Sequence, residues 1–178
     1  MMLPLFRRPN RTIAALYGAI VAQARSARFY ADWAVPDTVL GRFDMVLLHV
    51  VLVLRRLREG NDRALTQGLF DAFCRDMDHN LREMGISDQG LPKHMQRVGE
   101  AFYGRAQAYE AALGAPGEGA LSDALARNVY ADVAAPQMAA AALAHYVRQA
   151  AALLGEQPLA ALEAGTVRFP ELLHAPAE

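Results

Sequence analysis

Three places in the chain hold residue types that do chemistry in other proteins: His49, Cys74, and the stretch with Asp76, Asp78 and His79. A histidine in an apolar helix is a potential metal or haem ligand, but a metal centre needs several ligands converging on one point. At helical spacing around His49 stand Met45, Val46, Leu52 and Val53, with Arg42 and Arg56 seven residues away on the same side. This is the least apolar stripe of its helix, so a histidine hydrogen-bonded at the edge of the core is expected, as a polar core group or ligand contact. The step from Asp76 to His79 occurs in carboxylate-bridged di-metal bundles, which need it twice together with further glutamates. It occurs once here, and no metal site is expected. Cys74 is the only cysteine. It cannot close an intramolecular disulfide, fits a reducing compartment, and at the border of an apolar stripe reads as a small hydrophobe. H-E-x-x-H, G-x-S-x-G, G-x-x-x-x-G-K-[ST] and CxxC are all absent. The expectation is a protein that is not an enzyme and holds no cofactor.

The charged residues that stand out lie at the start of a helix. Lys93, His94 and Arg97 fall in its first turns, where the helix dipole disfavours cations by a few tenths to about 1 kcal/mol each. A basic cluster there suits an acidic partner or a phospholipid headgroup, and flexible side chains splayed into water explain it equally well. Further along, Tyr103 shares a mostly polar face with Gly99, Gln107 and Glu110, which makes it an interface candidate. Arg105, between Ala101 and Tyr109, is expected to lay its stem along the apolar edge. Gly104 aligns with Ala101, Ala108 and Ala111, a surface that another helix can approach closely.

These residues need helices to position them, and the periodicity supplies helices throughout. At 178 residues, 53% hydrophobic and 21% charged, the chain fits one globular domain. A net charge of -1 gives no electrostatic reason to bind nucleic acid. Residues 1–11 (MMLPLFRRPNR) read as a basic and apolar tail, with a weak contact to an anionic membrane as the alternative. A first helix is expected from about Thr12 to Ala27, and an aromatic segment follows with Phe29, Tyr30 and Trp33. Asp37 is expected to cap the next helix, residues 38–59. That helix is the most apolar in the chain, with Gly60 as its terminator, and is expected to be central. Its uninterrupted apolar core, Met45 to Leu54, is half of what a membrane span requires, so a transmembrane reading is rejected. Asp44, Leu48, Val51 and Arg55 are expected to form a solvated edge.

The third helix, about Asp62 to Met84, carries the stripe Leu65, Leu69, Phe73, Met77, Leu81 and Met84, with Asp71 and Arg75, and Asp78 and Arg82, spaced as ion pairs. Gly85 and Pro92 bracket a turn into the helix that holds Lys93 and Tyr103. Gly114 to Gly119 reads as a loop, and helices follow with Leu121 to Tyr130, from Pro136 to Leu154, and over Pro158 to Glu163. The fold class is all-α: a single-domain bundle of six or seven helices, residues 12–170, with a fraying tail at 171–178.

The histidine-containing helix ending in Arg55, Arg56 and Leu57, the FDAF, DMD and LREMG runs, EMGISD, Lys93, EAFYGR from Glu100 to Arg105, and ALARNVY from Ala124 to Tyr130 occur in one order. Together they resemble the ubiquinol-cytochrome c chaperone family, across about half of the chain. The resemblance implies a chaperone, or assembly factor, that engages newly made cytochrome b of the respiratory ubiquinol-cytochrome c reductase, together with a second assembly factor. In the absence of a mitochondrial presequence it implies a bacterial member in the cytoplasm, peripheral on the inner membrane. The surface expected to serve that role combines Lys93, His94, Arg97, Tyr103, Arg105, Arg127 and Asn128. The competing expectation is a small helical enzyme or carrier that binds a lipid-like or isoprenoid ligand in an apolar cavity reaching His49.

Overall fold

The computed structural model describes residues 9–172. Among them are eight helices and no strand: α1 (Pro9–Ala24), α2 (Ala27–Ala31), α3 (Val39–Glu59), α4 (Arg63–Glu83), α5 (Leu91–Gly114), α6 (Gly119–Asn128), α7 (Gln137–Glu156) and α8 (Leu159–Glu163). The additional helix is α2, formed from the aromatic segment. Ser26 is extended (φ -56°, ψ 127°), which stops α1 short of Ala27 and lets α2 begin there. Residues 9–11 belong to α1, since a proline loses nothing in a first helical turn. The rest of the N-terminal tail, residues 1–8, lies outside the described residues.

The cap of α3 is Thr38, whose hydroxyl accepts from Gly41 N at 3.1 Å. Asp37, the expected cap, instead accepts from Arg42 at 2.6 Å. Gly41 is buried against Pro36, and a Cβ there would stand 1.9 Å from the Pro36 carbonyl oxygen, so glycine is required for the turn into α3. Every residue from Asp44 to Leu54 is buried, and α3 packs against α1, α4, α5 and α7. The solvated edge expected for Asp44, Leu48, Val51 and Arg55 is therefore corrected: Asp44, Leu48 and Val51 are buried and Arg55 is half-buried. A helix covered on so many sides has no stripe left for water. The helix emerges at its ends, with Val39 62% and Leu40 69% exposed in the first turn and Arg58 and Glu59 exposed in the last. At the other end the left-handed residue is Asn61 (φ 55°), while Gly60 keeps helical φ and lies against Leu159.

Asp62 caps α4 by accepting from Leu65 N at 2.9 Å. Leu65, Leu69, Phe73 and Met77 are buried, but the stripe runs out of the core at half-buried Leu81 and exposed Met84. Asp78 pairs with Arg82 at 2.8 Å as the spacing predicts. Asp71 instead accepts from Gln67. The turn into α5 is a Schellman motif: Gly85 is left-handed (φ 86°), its N–H reaches Arg82 O at 2.9 Å, and Ile86 N–H reaches Leu81 O at 3.1 Å. Pro92 then stands in the first turn of α5.

The last carbonyls of α5 and the loop beyond it are gathered by Arg148 of α7, which donates to Ala112, Leu113 and Ala115 at 3.0–3.3 Å. After α8 the chain runs without regular structure over residues 166–172 and is held to the helices there; of the tail expected to fray after Pro170, residues 173–178 lie outside the described residues. Among the described residues no helix is long and apolar enough to cross a membrane.

Candidate functional site

His49 is fully buried, not at the core's edge. Its Nδ1 lies 2.7 Å from the Met45 carbonyl, which can only accept, so Nδ1 carries the hydrogen. Nε2 then accepts from the Tyr146 hydroxyl at 2.8 Å, and the hydroxyl oxygen in turn accepts from Gln23 Nε2 at 3.0 Å. Every polar atom of the imidazole is satisfied. Rings of Phe29, Tyr146 and Phe169 pack around it at centroid distances of 5.2–5.7 Å. Burial lowers the imidazole's pKa to about 4, a shift that the Met45 bond opposes. The ring is neutral at ordinary pH and its space is filled by protein. Asp76 accepts from the Tyr17 hydroxyl at 2.7 Å, tying α4 to α1, while His79 lies 3.2 Å from Glu83 on the surface. The two therefore serve separate contacts.

The surface residues on α5 divide into two groups. Lys93 and Arg97 are exposed, one turn apart, with no ion-pair partner among the described residues. His94 is half-buried, its Nδ1 3.0 Å from the Gly90 carbonyl. Tyr103 is 65% exposed and rests on Phe70 and Phe102, with ring centroids 5.9 and 5.7 Å away. Helical spacing sets Gly104 on the ridge of Lys93 and Arg97, and Tyr103 to one side of it. Nothing lies within 4 Å of where a Cβ at Gly99 or Gly104 would stand, so both face open space.

Arg105 points the other way. Its Nη2 lies 2.9 Å from Asp44 Oδ1, with the Asp44 side chain 7% exposed, and its guanidinium stands 5.9 Å from the Phe43 ring. The pair is close in charge but poorly directed: Asp44 Oδ1, Arg105 Nε and the neighbouring Tyr109 hydroxyl are buried with no hydrogen-bond partner among the described residues. Burial raises the Asp44 carboxyl to about 6, and Arg105 holds it from rising further. Burial and the charge of Asp44 both push the Tyr109 hydroxyl up. On α6, Arg127 is exposed and Asn128 donates to its own helix at Ala124 O, 2.9 Å. Packing of α6 on α5 brings the two helices together, with no hydrogen bond or ion pair from Arg127 or Asn128 to the α5 residues among the described ones.

A feature that sequence reasoning missed joins α3, α4 and α5. Phe43 packs on Phe73 (6.1 Å), Phe73 on Phe70 (6.5 Å), and Phe70 on Tyr103 (5.9 Å). Phe43 and Phe70 are half-buried, and the exposed Val39 and Leu40 stand one turn before Phe43. The chain of rings thus passes through the fully buried Phe73 and reaches the surface at its two ends, at Phe43 beside Arg105 and at Phe70 under Tyr103, the second of these flanking the basic ridge of α5. Chemically, that second end and the ridge can accept an apolar segment that carries acidic or phosphate groups at its edge. Phe43 and Phe70 each sit where a helix stripe meets its polar face, and that was the available signal.

The fold agrees with that of a solved structure, and the sequence with one family. The chain belongs to the ubiquinol-cytochrome C chaperone family, whose model matches residues 31–169. It is similar to the Cbp3 homolog from Brucella abortus, seen in a crystal structure, at 43% identity and a TM-score of 0.86, over 96% of this chain and 97% of that one. No curated protein matches it.

Proposed function

We propose that this protein binds newly made cytochrome b and holds it for assembly into the ubiquinol-cytochrome c reductase, acting at the cytoplasmic face of the inner membrane with a second assembly factor. The observation that carries the reading is the exposed basic ridge of Lys93 and Arg97 beside Tyr103 and the half-buried Phe70, in a chain of the chaperone family. A membrane protein awaiting insertion exposes apolar segments flanked by polar loops, and this face offers both kinds of contact. Lys93, His94, Arg97, Tyr103 and Arg127 are the proposed contact residues. Arg105 and Asn128 have internal partners and shape the face from beneath. Anionic headgroups would find the same cations. The alternative of an isoprenoid or lipid-like ligand at His49 draws no support from the packing, since Phe29, Tyr146 and Phe169 occupy that volume.

Affinity capture of the tagged chain from membranes of its host, read by mass spectrometry, tests the reading. Cytochrome b should be enriched, and Lys93→Glu with Arg97→Glu should reduce its recovery about ten-fold, on the order of the 1–2 kcal/mol that interface contacts carry. Unchanged recovery with the charges reversed would remove this face from the client interface.

A further inference from the structure

Residues 166–172 have no regular secondary structure, yet they are seated on the helices through their main chain. The buried side-chain amide of Gln157 brackets Arg168: Nε2 donates to Arg168 O at 2.9 Å, and Oε1 accepts from Arg168 N–H at 2.8 Å. Gln23 Nε2 donates to Pro170 O at 3.4 Å, and the Arg28 guanidinium donates to Leu172 O. One strap side chain reaches a core ring: Phe169 sets its edge against His49 at 5.2 Å. Beside the strap opens a cleft of about 580 Å³, bordered by Gln23, Ser26 and Arg28.

We propose that this groove is a peptide-binding site which the chain fills with its own residues 166–172, and that an extended segment of a second polypeptide, carrying an aromatic residue followed by proline, takes the same seat when the strap lifts. Donors that read main-chain carbonyls accept any extended segment, and the aromatic seat supplies selectivity. Proline suits the position after the aromatic ring because it holds the preceding residue extended and brings no N–H to leave unpaired. Lifting the strap breaks no helix. The hydrogen bonds among Gln23, Tyr146, His49 and Met45 close on themselves without it, so opening leaves no orphaned imidazole. The strap's tether gives it a high effective concentration, which keeps the groove closed to weak competitors. The proposal is independent of the α5 face.

Hydrogen exchange on the full chain is the first arm of the test, and peptide titration the second. The Arg168 amide should exchange at least about 100-fold faster than amides in the buried half of α3, the mark of local opening. A peptide of sequence TVRFPELL, followed by fluorescence of Trp33, whose ring lies 5.4 Å from Phe29 and 5.7 Å from Tyr146, should bind the full-length Phe169→Ala variant at least about ten-fold tighter than the wild type. The same peptide with alanine in place of its phenylalanine should lose that gain. If the variant keeps its helical circular dichroism and binds no tighter, or if the Arg168 amide exchanges only as slowly as the α3 core, the groove is a closed structural seam and the proposal fails. Should Phe169→Ala not fold, the exchange rates on the wild type decide alone.

Discussion

Burial acts on Asp44 and His49 in opposite senses, and their effects on stability oppose one another. Asp44 keeps its proton in the folded chain up to about pH 6, whereas an unfolded aspartate releases it near 4. Between those values the folded state binds more protons, so this residue makes stability fall as pH rises, and the loss is complete above 6. His49 is neutral in the folded chain down to about pH 4, whereas an unfolded histidine takes up its proton near 6.5. There the unfolded state binds more protons, and stability rises with pH from about 4 to 6.5. Each contribution is on the order of 3 kcal/mol across its window. Urea unfolding from pH 4 to 6 should therefore show Asp44→Asn gaining stability with pH relative to the wild type, and His49→Gln losing it. Parallel profiles for all three would contradict the two assignments.

Arg105 belongs to the same scale. Replacing it with alanine leaves Asp44 buried and unpaired, lets its carboxyl rise above 6, and should destabilise the fold by up to about 3–5 kcal/mol at the alkaline end of the range, less toward acid pH where Asp44 takes up a proton. Adding Asp44→Ala to that variant should recover part of the loss, as read by thermal unfolding at pH 7. A loss equal to the sum of the two single variants would mean the pair is not coupled. Neither partner's role was legible in the sequence. Arg105 lies at the edge of an apolar stripe and Asp44 on an apparently polar one, and 61 residues separate them. Nothing local to either residue reports the other.

At the scale of the elements, α5 carries two glycines that its own stability does not ask for. Nothing near either Cβ position would resist an added methyl group, so Gly99→Ala and Gly104→Ala should each stabilise the chain by up to about 1 kcal/mol. If the ridge receives a closely packed helix of the client, Gly104→Ala should at the same time weaken client capture, and a gain in both stability and capture would count against that docking. Gly68 on α4 behaves differently. An added Cβ would stand 2.3 Å from Ile13 Cδ1 of α1, the movable end of that side chain, so Gly68→Ala should gain less stability in urea unfolding than Gly99→Ala, and more once Ile13→Val removes that methyl group. Thr38→Ala should lower stability by about 1 kcal/mol through loss of the α3 cap.

Helix boundaries of this kind were mostly legible. Asp62, Gly85, Pro92 and Pro136 mark ends that the structure keeps, because capping and φ preferences are local. The sequence reading places the cap of α3 one residue early, at Asp37, whose carboxylate is paired with Arg42 while Thr38 takes the cap. The short α2 escaped notice because five residues are too few to show a helical period.

For the whole molecule, the all-helical class followed from periodicity alone, and the family resemblance followed from motifs spread over α3 to α6. The amphipathic pattern also located part of the core: Leu65, Leu69, Phe73 and Met77 are buried as their spacing predicts. What the pattern left open is which faces meet. The buried link from α3 to α7 through His49 and Tyr146, the pairing of Asp44 with Arg105, and the chain of rings from Phe43 to Tyr103 each join residues far apart in the chain. The candidate client face was legible as a set of residues on α5, and its apolar part on α4 was not.

The most direct measurement is site-specific photocrosslinking in the host during synthesis of the reductase. A benzophenone amino acid is placed at Tyr103, on the proposed face, and in a second variant at Met138, which is 77% exposed on α7. A crosslink to cytochrome b from position 103 and none from position 138 is the predicted result. Equal crosslinking from both positions, or crosslinking from position 138 alone, would contradict the assignment of the client to the α5 face.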